Sequence, residues 1–300
     1  MSGRAWASGL ATAGLGLALL SGPAARPAPS GDAPTRLGVV SFYNPRLMYV
    51  KYQPLVDYLS DHTEEHWELS VSDSYQEAVD RVCAGHVALA YLGPFAYLRA
   101  HARCGVEPLL RLRMRGQDVF YSDVLVRSDD PFERLEDLAG YRIGFGDVLS
   151  ASSHLVPRAM LEAAGLEPGR DVACRYYGQH EEAARAVLLG EVEACGVRDV
   201  IGEVFLRRGL RRLARSSPIP THPWVLPPHT APARRERLGD VLLAFPGDAA
   251  PQRGEEQWDL ELAGGFTSAR DADYDVVRRL ADRVFGPGSL RRPPGELQCR

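Results

Sequence analysis

Gly144-Phe145-Gly146-Asp147-Val148-Leu149-Ser150-Ala151-Ser152-Ser153-His154-Leu155-Val156-Pro157 reads as strand, tight turn, hydroxyl-rich loop and helix. Residues 142–145 predict a short buried strand that stops at Gly146. The apolar spacing over 155–164 predicts a helix ended by Gly165. Three serines stand within four positions where that helix begins. The first N–H groups of a helix lack internal partners and carry the positive end of the macrodipole. Hydroxyls beside them make a neutral site for an oxyanion. The plain alternative is a serine N-cap, which needs one hydroxyl rather than three. His154, inside the first turn, is expected to face outward.

The 300 residues allow one or two domains with a real core. The formal net charge is −4, which gives no broad footprint for nucleic acid. Lys51 is the only lysine, and the arginines are scattered rather than clustered. Arg4, an apolar run over 5–20 and Ser21-Gly22-Pro23-Ala24-Ala25 have the layout of a secretory signal peptide. The run is short of the ~20 residues that span a bilayer; an uncleaved anchor is the alternative. Residues 1–30 are therefore assigned to signal peptide and linker. The mature chain then carries 33 basic and 39 acidic residues, a net of −6. An acidic protein that binds an anion must use local groups. Export permits disulfides: Cys83–Cys104 is expected as a bridge, Cys174 and Cys195 as buried thiols and Cys299 as a free thiol in the tail. No cysteine or histidine spacing suggests zinc.

Alternating apolar stretches predict strands at 37–42, 67–72, 87–92, 107–114 and 120–127, with helices between the first four. Ser74, with Glu77 three residues on, predicts a capping box. The pattern restarts with strands at 141–145, 172–177, 192–197 and 213–215 and helices at 155–164, 181–189 and 199–208. Residues 216–223 form a proline-rich crossing, and 234–245 and 273–285 have helical periodicity. Such alternation predicts α/β lobes with parallel sheets, and ligands then lie beyond the carboxyl ends of the strands. Phe42-Tyr43-Asn44, Asp73-Ser74-Tyr75, Tyr91-Leu92-Gly93-Pro94, the serine loop, Gly178-Gln179-His180 and Arg198-Asp199 all fall there. Lobe 1 is expected over 36–127 and 218–290 and lobe 2 over 128–217, with crossings near 127–131 and 216–223.

Several stretches occur in an order that resembles one family. They are Tyr52-Gln53-Pro54-Leu55, Ser72-Asp73-Ser74-Tyr75, Ala90-Tyr91-Leu92-Gly93-Pro94-Phe95-Ala96-Tyr97, Gly146-Asp147 with Ser150 to Pro157, Gly178-Gln179-His180 and Pro218-Ile219-Pro220-Thr221-His222-Pro223-Trp224. The resemblance is to the PhnD-like periplasmic phosphate, phosphite and phosphonate-binding proteins of ABC transporters. It implies a two-lobe periplasmic binding protein, type II-like, that closes on a small phosphorus oxyanion. It also implies a monomer without cofactor or metal that delivers this ligand to a membrane permease. The family loop Ser-Thr-Ser-Gly corresponds here to Ser150, Ala151, Ser152 and Ser153, so one hydroxyl is lost and a glycine is replaced. Tyr75 matches a family ligand tyrosine, His180 matches the family histidine, and Tyr91 falls in the family's aromatic strand end. Arg198, Asp199 and His222 stand where phosphonate binders place acids for a substrate ammonium. The anion end of the site is thus mostly retained and the ammonium end is not.

Two other function classes compete with this reading. A serine nucleophile needs a base and an orienting third group; Ser152 with His180 imitates part of this, without a G-x-S-x-G elbow. An exported oxyanion-sensing subunit of a membrane signalling system would use the same ligand site.

Overall fold

The computed structural model describes residues 33–41, 45–114, 116–246 and 262–299. The expected signal peptide and linker at 1–30, the strand-end loop Phe42-Tyr43-Asn44 and the loop at 247–257 lie outside these residues. Strands β1 (Thr35–Val40), β2 (Trp67–Ser72), β3 (Leu89–Tyr91) and β4 (Pro108–Leu112) alternate with helices α1 (Pro45–Thr63), α2 (Tyr75–Cys83) and α3 (Pro94–Cys104). Ser74 caps α2 by accepting from the Glu77 N–H at 3.1 Å. The Glu77 carboxylate reaches back to the Asp73 N–H, one residue before the cap, at 2.8 Å. Next come β5 (Val119–Phe120), β6 (Ser122–Arg127), β7 (Arg142–Phe145), α4 (Val156–Ala163), β8 (Ala173–Tyr176), α5 (His180–Leu188), β9 (Ala194–Arg198), α6 (Asp199–Leu206) and β10 (Leu210–Arg215). The chain closes with β11 (Ile219–Pro220), β12 (Pro223–Val225), α7 (Pro232–Leu243), β13 (Phe266–Ser268) and α8 (Asp275–Phe285).

The strands form two large sheets, ordered β13-β4-β12-β3-β1-β2 and β10-β6-β9-β7-β8. Neither is all-parallel, as the alternation had suggested. β1 runs parallel to β2 and β3, but β12 enters antiparallel between β3 and β4. In the second sheet β7 is parallel to β8 and β9, and β6 is antiparallel to β9 and β10. The reversals come from strands that arrive by crossing between the sheets rather than by a helical crossover, and only the latter enforces parallel pairing.

The expected single strand over 120–127 breaks at Tyr121. β5 pairs antiparallel with β11 in a separate two-stranded ribbon, while β6 joins the second sheet. The second sheet therefore begins at Ser122, ahead of the expected break after residue 127. The crossings are 113–121 and 216–222, and residues 128–131 make a turn beside β6 instead. β10 is also longer than its expected 213–215.

Among the cysteines, Cys83–Cys104 joins the ends of α2 and α3 as expected. Cys174 and Cys299 are not free: the tail returns to β8 and the two are bridged. Cys195 is a buried thiol, its pKa pushed up by desolvation.

The serine-rich segment does not enter its helix as a plain α turn. Residues Ala151–Leu155 form a π turn, with Leu155 N–H bonded to Ser150 O at 3.1 Å and Val156 N–H to Ala151 O. Pro157 has no N–H to offer the next carbonyl, and such wide single turns recur where a helix carries a functional irregularity. The Ser152 carbonyl accepts instead from the buried Ser122 hydroxyl at 2.7 Å. This turn lies against β9 at Gly196, where an added Cβ would sit 2.4 Å from Pro157 Cγ. Gly196→Ala is therefore expected to destabilise the fold by about 1–3 kcal/mol through overpacking. Urea unfolding measures it, and a variant with unchanged midpoint would contradict the close approach.

Candidate functional site

The π turn presents its first N–H groups and serine hydroxyls at the carboxyl end of β7, beside α5 and the end of β9. Ser150 caps the turn, its Oγ accepting from the Ser153 N–H at 3.1 Å. The same Oγ lies 3.2 Å from His180 Nε2. His180 begins α5, and its Nδ1 accepts from the Arg198 backbone N–H at 3.1 Å. A neutral imidazole has one donor and one acceptor. With Nδ1 accepting, the proton is on Nε2 and points at Ser150. The Ser150 oxygen thus receives two donors, and its own proton has no acceptor among the described residues.

Ser152 is 3% exposed, and its hydroxyl makes no hydrogen bond among the described residues. The Ser153 hydroxyl is engaged internally: it donates to Gly196 O at 2.5 Å and accepts from Gly146 N–H at 2.7 Å. It anchors the loop to the sheet rather than offering a proton outward. A Cβ on Gly146 would meet that hydroxyl at 2.8 Å, so glycine is required where the strand turns. Ala151 is buried at the first position of the turn, where its N–H, like that of Ser152, has no intrahelical acceptor.

Charge enters through Arg198, 2% exposed at the end of β9. Its Nη2 lies 2.8 Å from Met114 Sδ, and its guanidinium sits over the Phe120 ring at 5.1 Å. His222 comes from the second crossing, with its ring 4.8 Å from Phe120 and 5.2 Å from Tyr91. Tyr91 stacks on Trp224 at 4.8 Å. Tyr75 at the start of α2 is buried, and a Cβ on Gly93 would meet its ring at 3.1 Å. The lobes meet here: burial raises the pKa of Asp147, while the N–H of Leu149 and the Tyr75 N–H at the N-terminus of α2 oppose that shift.

The structure therefore gathers Ser150, Ser152, His180, Arg198 and His222 in one buried place with Tyr75 and Tyr91 on the first-lobe side. Asp199 follows Arg198 directly and lies within reach of its charge. Its carboxyl accepts from the Val200 N–H at 2.9 Å, and burial raises its pKa while Arg198 acts against that shift. Asp123 and Arg215 also act on it. Asp123 is fully buried and held by Arg215 through two bonds of 2.7 and 2.9 Å. Sequence reading passed over Asp123, Ser122 and Gly196, which lie in apolar strands with no local sign of a polar role. Phe120 and Trp224 were also missed as walls of the site. His154, expected outside, is fully buried. Its Nδ1–H donates to Val148 O at 2.7 Å, and its Nε2 accepts from the Tyr176 hydroxyl at 2.9 Å. Among the described residues no cluster of three His, Cys, Asp or Glu side chains is placed to hold a metal ion.

Two α/β lobes closing over a donor-rich helix start define an anion-binding receptor. The chain belongs to the family described as ABC transporter, phosphonate, periplasmic substrate-binding protein, whose model matches residues 37–274. Substrate-binding proteins of such importers act outside the cytoplasm. The chain is 26% identical over 273 residues to the phosphate-import protein PhnD of Mycolicibacterium smegmatis, covering 82% of this chain and 84% of that one. Its fold is similar to a binding-protein component of an ABC phosphonate transporter from Pseudomonas aeruginosa. That match has a TM-score of 0.74 at 19% identity and covers 86% and 88% of the two chains. It is also similar to PhnD1 from Prochlorococcus marinus in complex with methylphosphonate, at 0.73 and 17%, covering 84% and 98%.

Burial holds His180 and His154 down at a pKa of about 3 and His222 well below its ordinary 6.5, with Arg198 adding to the shift at His180 and His222. All three are neutral when folded and bind a proton when unfolded below about pH 6.5. The unfolded state then binds more protons, so stability is full above pH 6.5 and falls as pH drops toward 3. Each fully titrating group contributes about 1.4 kcal/mol per pH unit. The half-buried carboxyls Asp147 and Asp199, with raised pKa values, act in the opposite sense. Urea midpoints are therefore expected to fall between pH 7 and 5.5; a flat or rising profile would show that the histidine contribution does not exceed that of the two carboxyls.

Proposed function

We propose that this chain captures a small tetrahedral phosphorus oxyanion, such as phosphate, phosphite or a simple phosphonate. It then delivers the ligand to the membrane permease of an ABC importer, acting outside the cytoplasm after its signal peptide is removed. The observation that supports this most is the polarity of the serine loop. Ser150 O–H, Ser152 O–H and the N–H groups of Ala151 and Ser152 stand together at one helix start beside the Arg198 guanidinium. Hydrogen bonds to a charged group contribute about 1.5–3 kcal/mol each, and a buried anion needs such partners to offset its lost hydration. The family membership and the names of the relatives, one a phosphate importer, point the same way.

The histidine tautomer argues against a serine hydrolase. A general base must present an unprotonated nitrogen to the nucleophile. Here the Arg198 N–H occupies Nδ1 and leaves Nε2 protonated toward Ser150. Binding without chemistry fits this arrangement.

Titration calorimetry with phosphate, phosphite and methylphosphonate is expected to give one site per chain. Ser152→Ala is expected to weaken binding by about 1–3 kcal/mol, the loss of one donor to a charged acceptor, with little change in folding. No heat and no thermal shift with all three anions would overturn the proposal; normal binding by both Ser152→Ala and Ser150→Ala would reduce the loop to a cap.

Ligand choice follows from the charges beside the cradle. An aminoalkylphosphonate buries an ammonium, which is costly without a carboxylate partner. Arg198 repels it, His222 is neutral, and Asp199 is already engaged by the Val200 N–H and the charge of Arg198. Phosphate, phosphite or methylphosphonate is expected to bind more tightly than 2-aminoethylphosphonate. A competition titration decides this, and the reverse order would place an acid in the pocket.

A further inference from the structure

The cradle is closed off from water, with Ser150, His180, Arg198 and His222 all buried, so a ligand enters or leaves only when the lobes part. The β5–β11 ribbon carries both chain crossings. The tail makes a third connection. It leaves α8, whose Phe285 ring lies 5.8 Å from Phe95 of α3 on the first lobe and 5.6 Å from His154 on the second. Arg99 of α3, itself buried, then holds the tail to the first lobe, donating to Ser289 O at 3.1 Å and Arg292 O at 2.6 Å. Seven residues beyond Arg292, Cys299 is bonded to Cys174 of β8 in the second sheet. Leu297 is fully buried, and its carbonyl accepts from Arg158 of α4 at 3.2 Å.

We propose that residues 286–299 form a strap whose Cys174–Cys299 bridge limits how far the lobes open and thereby sets the rate of ligand exchange. The exchange part rests on the receptor reading above. In the second sheet β8 is the edge strand, three positions from β6, where the ribbon enters. At a spacing of about 4.8 Å per strand the bridge lies about 14 Å from the hinge. A fastening that far from the axis resists rotation unless the strap lengthens. Pro293 and Pro294 stiffen it. The 3₁₀ turn Ser289–Arg291 lies on the Arg99-anchored side; beyond Arg292 the coiled piece is the 3₁₀ turn Pro294–Leu297, whose unwinding adds about 5 Å, enough for a rotation of about 20°. The strap also reaches the cradle: Cys299 N–H donates to the Tyr176 oxygen at 3.1 Å, Tyr176 donates to His154 and His154 donates to Val148 O in the serine loop.

The test compares four ligand-free proteins by small-angle scattering. They are the wild type, Cys174→Ser with Cys299→Ser, Cys83→Ser with Cys104→Ser as a bridge within one lobe, and a chain with six Gly/Ser residues inserted between Pro293 and Pro294. The cut and lengthened straps are expected to give a larger radius of gyration and the Cys83/Cys104 variant the wild-type value. Methylphosphonate is expected to leave the cut and lengthened variants at least five-fold faster in stopped flow. The scattering decides the mechanical claim even if no phosphorus anion binds. Wild-type dimensions in both strap variants would overturn the proposal. Expansion of the cut variant alone would do so as well, since the bridge would then act on local folding rather than through strap length. Should the cut variant fail to fold by circular dichroism, the lengthened one carries the test.

Discussion

The hydrogen bond from the Arg198 backbone N–H to His180 Nδ1 sets the polarity of the whole site. It uses the one acceptor a neutral imidazole has and leaves the other nitrogen as a donor. That donor meets Ser150, whose oxygen is already the cap of the serine turn. The proton of Ser150 is then left without an acceptor among the described residues. One bond from a main-chain N–H of β9 to a side chain of α5 thus makes an array of donors from groups that are individually ambivalent. An array of that kind recognises a species with lone pairs and no protons to give.

Such an array works only where water is excluded, because hydrogen bonds and charges gain strength in a low-dielectric setting and are diluted in solvent. The closure comes from both lobes. Tyr75, Tyr91 and His222 approach from the first sheet and the second crossing, and the serine turn and Arg198 from the second sheet. Arg198 brings a full charge into this setting, and its face is laid on Phe120, a contact that suits a weakly hydrated guanidinium. The nearby acid Asp123 is held by Arg215 and Arg212.

The mixed sheets follow from the same requirement. A cleft between two bodies needs the chain to pass from one to the other, and each passage brings a strand in from outside the local βαβ order. β12 and β6 are those strands, and they run antiparallel to their neighbours. The π turn belongs to the same logic. It widens the helix start, leaves the Ser152 carbonyl to Ser122 and lets Ser153 anchor to Gly196, so the hydroxyl-bearing loop is fixed from behind.

Local sequence determined most of the elements and the place of the serine loop at a helix start. The helices α2, α4 and α5 announce themselves through caps, apolar spacing and terminal glycines, which depend on neighbours within one turn. The serine cluster was legible for the same reason: a helix start has unpaired N–H groups whatever surrounds it. Strand direction, the break at Tyr121 and the lobe boundary were not legible, because pairing is decided by strands a hundred residues apart. Nor did position in the chain reveal that Ser153 faces inward, that His154 is buried or that Cys299 reaches Cys174. Each of those depends on a partner brought close only by tertiary packing: Gly196 for Ser153, Tyr176 for His154, and β8 for the returning tail. A serine shows its residue type in the sequence, but the acceptor that claims its single proton is chosen by the fold.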